Sequence, residues 1–135
     1  MRTLSYTADL CVVGGGLSGL CCAIAAQGAR VVLLQDRPVL GGNASGEIRM
    51  WVCGANGENN REGGIIEELM LENYYQNPGL KFPIWDSVLY EKAKAEPNLT
   101  LLLNTSCLGV EMADGKIASV TGWQLNSYTF HTVEA

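Results

Sequence analysis

The stretch from Ala8 to Leu34 constrains this chain more than any other. Residues Ala8 to Val13 (ADLCVV) are short, apolar and run into glycine, the pattern of a fully buried strand. Leu17 to Gln27 follows as a helix of small residues, and Gly28 stops it by accepting a positive φ. Arg30 to Leu34 (RVVLL) is a second buried strand. Strand, glycine turn, helix and strand in one short span make a βαβ unit, with parallel strands and a right-handed crossover. The turn itself, Gly14-Gly15-Gly16-Leu17-Ser18-Gly19, satisfies G-x-G-x-x-G at Gly14, Gly16 and Gly19. Alone the pattern is weak; between a strand and a helix it becomes a dinucleotide fingerprint. Gly14 permits the tight turn, Gly16 lets backbone approach a pyrophosphate, and Gly19 lets helix pack on strand. Free N–H groups and the helix dipole then favour the anion. A mononucleotide P-loop is disfavoured, because no Gly-Lys-Ser/Thr follows.

Beyond this unit, Asp36 to Gly64 is a long loop without periodicity, and loops of that length usually carry function. Glu62 to Gln76 predicts a helix with Ile66, Leu69, Met70 and Tyr74 on one stripe, ended by Asn77-Pro78-Gly79. Asp86 to Ala95 predicts a shorter helix with Asp86 as N-cap and Pro97 marking its end. Leu99 to Leu103 reads as a third buried strand beside the first two. Leu108 to Met112, Lys116 to Trp123 and Tyr128 to Val133 are strand-like runs, the first pair joined by Asp114-Gly115, a good hairpin signal. The expected fold is α/β: a Rossmann-like βαβ parallel sheet with an added three-stranded antiparallel β-meander, residues 1–135 forming a single domain.

Composition removes several function classes. Nine Lys+Arg against 14 Asp+Glu give a net charge of −5 and a pI near 4.8, which opposes nucleic-acid binding. No apolar run approaches the roughly 20 residues of a membrane span. Met1 to Leu10 holds no signal-peptide core, so a cytoplasmic protein is the expectation. Cys11, Cys21, Cys22, Cys53 and Cys107 form no C-x-x-C pair and read as packing residues or inert thiols, with no metal site and no redox dithiol.

At the end of the second strand the fingerprint calls for an acid to hold the ribose hydroxyls. Position 35 is Gln35 and the acid is Asp36, so either side chain is a candidate. The adjacent Arg37 admits a 2′-phosphate and hence NADP as an alternative.

The run from Val12 to Gly46 resembles the N-terminal part of FAD-dependent oxidoreductases of the glutathione-reductase-like flavoprotein superfamily. In such proteins an Arg-x-x-x-Gly-Gly segment follows the second strand and helps enclose the pyrophosphate and ribityl chain. Here it is Arg37-Pro38-Val39-Leu40-Gly41-Gly42-Asn43. A plain nicotinamide Rossmann domain has no reason to carry it. The resemblance implies FAD as cofactor, with the adenine edge near Cys107 after the third strand. Gln35 departs from the family's usual glutamate. Family members also continue to an A-T-G-D-like segment and a substrate domain, so the resemblance implies a truncated FAD-binding domain whose isolated chain is inactive.

The reading is therefore an oxidoreductase portion acting on a small-molecule substrate. The alternatives are a non-catalytic nucleotide-binding module and an NAD(P)-binding Rossmann domain. Asn43, Ser45, Glu47 and Arg49 fall near the flavin ring by this resemblance, or form a solvated loop. Trp51, Trp85 and Trp123 read as packing, and His131 as a structural residue in an edge strand. Glu58, Glu62, Glu67, Glu68 and Glu72 form no metal-like cluster, and no catalytic residue is assigned.

Overall fold

A computed structural model describes residues 1–26, 28–54 and 63–135. Its strands are β1 (Arg2–Thr7), β2 (Leu10–Val13), β3 (Val31–Leu34), β4 (Leu99–Leu102), β5 (Thr105–Ala113), β6 (Lys116–Gln124) and β7 (Thr129–Glu134). Its helices are α1 (Leu17–Ala25), α2 (Gly64–Gln76) and α3 (Phe82–Ala95). β2, β3 and β4 form a parallel three-stranded sheet in that order, with Val13 opposite Leu34 and Leu34 opposite Leu102. The other four strands form a second sheet in the order β1-β7-β6-β5.

All four residues of β3 are buried, and their alternation shows why. Val31 and Leu33 join Leu20, Ile24, Trp85 and Leu89 in a core under the helices. Val32 and Leu34 join Val120 and Val133 in a second core under the other sheet. The molecule is thus three layers deep, with the parallel sheet in the middle and its C-terminal strand ends pointing toward the glycine loops.

The α/β architecture with a parallel sheet and an antiparallel meander is as the residues predict. The hairpin turn adopts positive φ at both Asp114 (51°) and Gly115 (74°), which suits the twist of the flanking strands. Several details differ. The meander forms its own sheet, extended by β1, which pairs in parallel with β7 and was not anticipated. His131 consequently lies in an interior strand, buried, with Nδ1 3.0 Å from the Tyr6 hydroxyl. Burial lowers its pKa, and Arg2 adds to that.

α1 ends at Ala25; the expected end at Gln27, like the expected start of α2 at Glu62, lies outside the described residues. Gly28 does adopt a positive φ of 87°. α2 buries Leu69 and Asn73, while Tyr74 is exposed, because the helix packs on its neighbours through the adjoining face. α3 starts at Phe82, four residues before Asp86, with Pro83 in its first turn where a missing N–H does no harm. Asp86 is not an N-cap. Its carboxylate accepts the Gly46 N–H at 2.7 Å instead.

Candidate functional site

The glycine turn leaves β2 with Gly14 at φ 107°, its N–H bonded to the Leu34 carbonyl at 2.8 Å. Gly16 caps α1 in extended conformation, and no side chain caps the helix. Its leading N–H groups have no intrahelical acceptor, the source of an anion site. The close approaches separate the glycines by role. A Cβ on Gly19 would collide with the Gly14 carbonyl oxygen and stand 3.4 Å from Val12 Cγ1. A Cβ on Gly15 would stand 2.7 Å from Leu40 Cδ2. At Gly14 and Gly16 no atom of the described residues lies within 4 Å of such a Cβ. Packing therefore accounts for Gly15 and Gly19, and open space sits over Gly14 and Gly16. Leu17 is half-buried and Ser18 exposed beside that space.

The second glycine run lies against the first. The Gly41 N–H donates to the Gly15 carbonyl at 2.8 Å, and a Cβ on Gly42 would stand 3.2 Å from Gly16 Cα. Gly41 and Gly42 have φ of 103° and 58°. The chain then makes a single 3-10 turn (Gly42–Ala44) leading to Ser45, with Asn43 exposed. α3 anchors this loop from below. Trp85 Nε1 donates to the Ala44 carbonyl at 2.9 Å, and Asp86 takes the Gly46 N–H. Burial raises the Asp86 pKa, against the Gly46 bond, and the Glu47 charge raises it further. Arg37 pairs with Glu47 at 3.0 Å, Arg49 Nε donates to the Gly46 carbonyl, and the buried Ser45 hydroxyl has no partner among the described residues.

On the other side of the turn is a cleft of about 330 Å³, lined by Val13, Gly14, Leu34, Asp36, Thr105, Ser106 and Cys107. It lies beyond the C-terminal ends of β2 and β3, where ligands of open α/β sheets bind. The structure thus brings Gly14, Asp36 and Cys107 to one cleft and lays Gly41 and Gly42 against Gly15 and Gly16 beside it. Gln35 is placed differently. It is 4% exposed, and both polar atoms of its side chain are bonded within the chain.

Thr105, Ser106 and Gly122 were not singled out from the sequence, and Asp86 was read only as a helix cap. Gly122 carried a usable signal, since glycine inside a strand marks a close approach. A Cβ there would stand 2.7 Å from Leu34 Cδ2 and 2.8 Å from Thr105 Cγ2. Of the two readings of the cysteines, packing residue or inert thiol, packing does not hold for Cys22, Cys53 and Cys107, which are exposed. Cys11 and Cys21 are part-buried, and burial raises both thiols. Trp85 is buried, and Trp51 stacks on Phe82 with ring centroids 4.1 Å apart. Trp123 packs on Phe130 at 4.7 Å. Among the described residues there is no group of three or more metal-capable side chains, and no helix long and apolar enough to cross a membrane. Glu58 and Glu62 lie outside those residues.

Residues 9–135 match the model of the FAD dependent oxidoreductase family. The chain belongs to that family. FAD is accordingly its cofactor, and an exposed cradle over Gly14 and Gly16 between two abutting glycine runs fits a pyrophosphate. No curated protein matches the chain significantly. Among solved structures, it is similar to L-proline dehydrogenase from P. horikoshii, with 18% identity and a TM-score of 0.60, over 100% of this chain and 22% of that one. The E. coli quinol fumarate reductase aligns at 14% identity and TM-score 0.65, over 100% and 32%. The myxobacterial chondrochloren halogenase CndH, an FAD-dependent halogenase, aligns at 15% and 0.65, over 96% and 36%. At such identities the likeness shows the fold, and this FAD dependent oxidoreductase chain spans between 22% and 36% of those three proteins.

Proposed function

We propose that this chain is the FAD-binding portion of a flavoprotein oxidoreductase of the glutathione-reductase-like type, acting on a small-molecule substrate. One observation carries the reading: the Arg-x-x-x-Gly-Gly run lies against the G-x-G-x-x-G turn, with Gly41 hydrogen-bonded to Gly15 and Gly42 against Gly16. A nicotinamide domain needs only the first run. Arg37 is paired with Glu47, which argues against its serving a 2′-phosphate and so against NADP.

When bound, FAD supplies acceptance of a hydride or electron pair. The residues of this chain bind and orient it. The N–H groups at Gly16 to Gly19 take the pyrophosphate, helped by the α1 dipole. Gly41, Gly42 and Asn43 flank it, in the same loop as Arg37, which is held by Glu47. Asp36 takes the ribose hydroxyls, and the cleft at Cys107 takes the adenine. The loop pinned by Trp85 and Asp86 borders the reacting end of the site. Because the chain spans no more than 36% of the three solved structures described above, it is assigned the cofactor-binding share of the reaction and no catalytic side chain.

A thermal-shift titration with FAD, NAD and NADP in parallel tests the reading. Ligand at about 100 times Kd adds roughly 2.7 kcal/mol, several degrees for a chain of this size. A shift with FAD alone is the expected result; a shift with NAD alone overturns it.

A further inference from the structure

Gln35 stands where the resemblance puts a ribose-binding glutamate, yet its side chain is turned into the protein. Its Oε1 accepts the Gly15 N–H at 2.7 Å, and its Nε2 donates to the Val39 carbonyl at 2.9 Å. Its backbone N–H donates to Leu102 and its carbonyl accepts from Thr105, at 2.9 and 2.8 Å. One buried residue therefore ties β4 and β5 to both glycine runs. We infer that Gln35 is a positioning residue that holds the two glycine runs in register through its amide, and that ribose recognition has passed to Asp36. The inference rests on the FAD-binding reading above and goes beyond it.

The chemistry requires an amide. A neutral amide both donates and accepts, whereas a carboxylate only accepts. A glutamate at position 35 would still take the Gly15 N–H, but its second oxygen would face the Val39 carbonyl without a proton. Protonated, the same carboxyl would restore the donor. A Cβ on Gly15 would lie 3.0 Å from Gln35 Cβ, so the two residues are already in contact and the amide has little room to swing outward. Asp36, in contrast, is exposed and lines the cleft with Cys107.

The residues bonded to Gln35, namely Gly15, Val39, Leu102 and Thr105, carry no ionisable side chain, and the charged groups beside it in the chain are Asp36 and Arg37. The glycine turn and β4 contribute none. Both charged neighbours are present in the parent chain, which serves as the reference at each pH.

The test compares Gln35→Glu, Gln35→Met and Asp36→Asn with the parent at about pH 5 and about pH 8. Two quantities are read: the FAD dissociation constant from flavin fluorescence, and the Tm of the FAD-free chain. A buried carboxyl has its pKa raised by desolvation, so Gln35→Glu is protonated in the folded state at the lower pH. The folded pKa then exceeds the unfolded value of about 4.3, and stability present in acid is lost as pH rises toward the folded pKa. The expected result is Gln35→Glu within about threefold of the parent for FAD near pH 5. Near pH 8 it should fall about tenfold further behind, the effect of one unit of pKa separation. Its Tm deficit should widen over the same range. Gln35→Met should be impaired equally at both pH values. Asp36→Asn should weaken FAD binding and leave the FAD-free Tm unchanged. A pH-independent Tm deficit for Gln35→Glu, or tighter FAD binding by it near pH 8, overturns the inference. If the parent binds no FAD, the functional reading fails, and the Tm series still decides whether the amide braces the turn.

Discussion

Two glycines three residues apart should fail in opposite ways when each gains a methyl group. At Gly19 the methyl meets the Gly14 carbonyl oxygen, a backbone atom that cannot rotate away, with Gly14 C at 3.1 Å. Overpacking of that kind costs about 1–3 kcal/mol, and the rigid neighbour puts it at the upper end. Alanine recovers about 1 kcal/mol as the better helix former, since Gly19 lies within α1. The net for Gly19→Ala is about 2 kcal/mol of destabilisation, roughly 6–8 °C in Tm. At Gly16 the methyl meets no atom of the described residues, and φ −62°, ψ 176° suits alanine. Gly16→Ala should leave Tm unchanged or raise it by up to about 3 °C, because the unfolded chain loses freedom. The same methyl enters the space assigned to the pyrophosphate, so FAD should bind about 5- to 150-fold more weakly, the equivalent of about 1–3 kcal/mol. Differential scanning fluorimetry without ligand and flavin fluorescence titration read the two effects separately. Parent-like FAD affinity in Gly16→Ala would remove the pyrophosphate from that position, and a parent-like Tm in Gly19→Ala would refute the close-packing argument.

Asp86→Asn keeps an oxygen for the Gly46 N–H while removing a charge that burial disfavours. Because the folded pKa of Asp86 is raised, parent stability falls as pH rises from the unfolded toward the folded pKa, so Asp86→Asn should gain in relative Tm between about pH 3 and pH 7; a gap constant with pH contradicts this. Trp85→Phe strands the buried Ala44 carbonyl and should lower Tm by the equivalent of about 1–3 kcal/mol, with weaker FAD binding from a loosened loop; thermal melts and titration check both. Cys107 lies in the cleft assigned to the adenine, so saturating FAD should slow its alkylation severalfold, read by mass spectrometry, while exposed Cys22 serves as control. Equal protection of Cys22 and Cys107 would count against the adenine assignment.

The parts of the fold legible in the sequence are those set by local forces. The positive φ of Gly28, the hairpin at Asp114-Gly115 and the apolar run of β3 each depend on a few neighbouring residues. What the sequence hid is non-local. β1 (RTLSYT) is mostly exposed and carries only Leu4 and Tyr6 as inward residues, so nothing local marks it. Its partner β7 is more than 120 positions away, as the Tyr6–His131 contact shows. That pairing also turns His131 from an edge residue into a buried one. The start of α3 was misplaced because Asp86 fits a cap by type, while Pro83, the second residue of the helix, is the better marker of a first turn.

The site divides in the same way. Each glycine run is readable alone, since glycine at a turn or a close approach has few substitutes. Their union is not readable, because it depends on Gly41 reaching Gly15 and on Trp85 and Asp86 holding the loop from some 40 positions away. Gln35 is the sharpest case. Its identity showed a departure from the expected acid, but the direction of its amide follows from the Val39 carbonyl that needs a donor. An acid at that position would satisfy the ribose and leave Val39 unpaired; the amide satisfies the protein, and the proposed ribose contact passes to Asp36. Residue type at position 35 thus decides whether that side chain serves the ligand or the cradle, and here it serves the cradle.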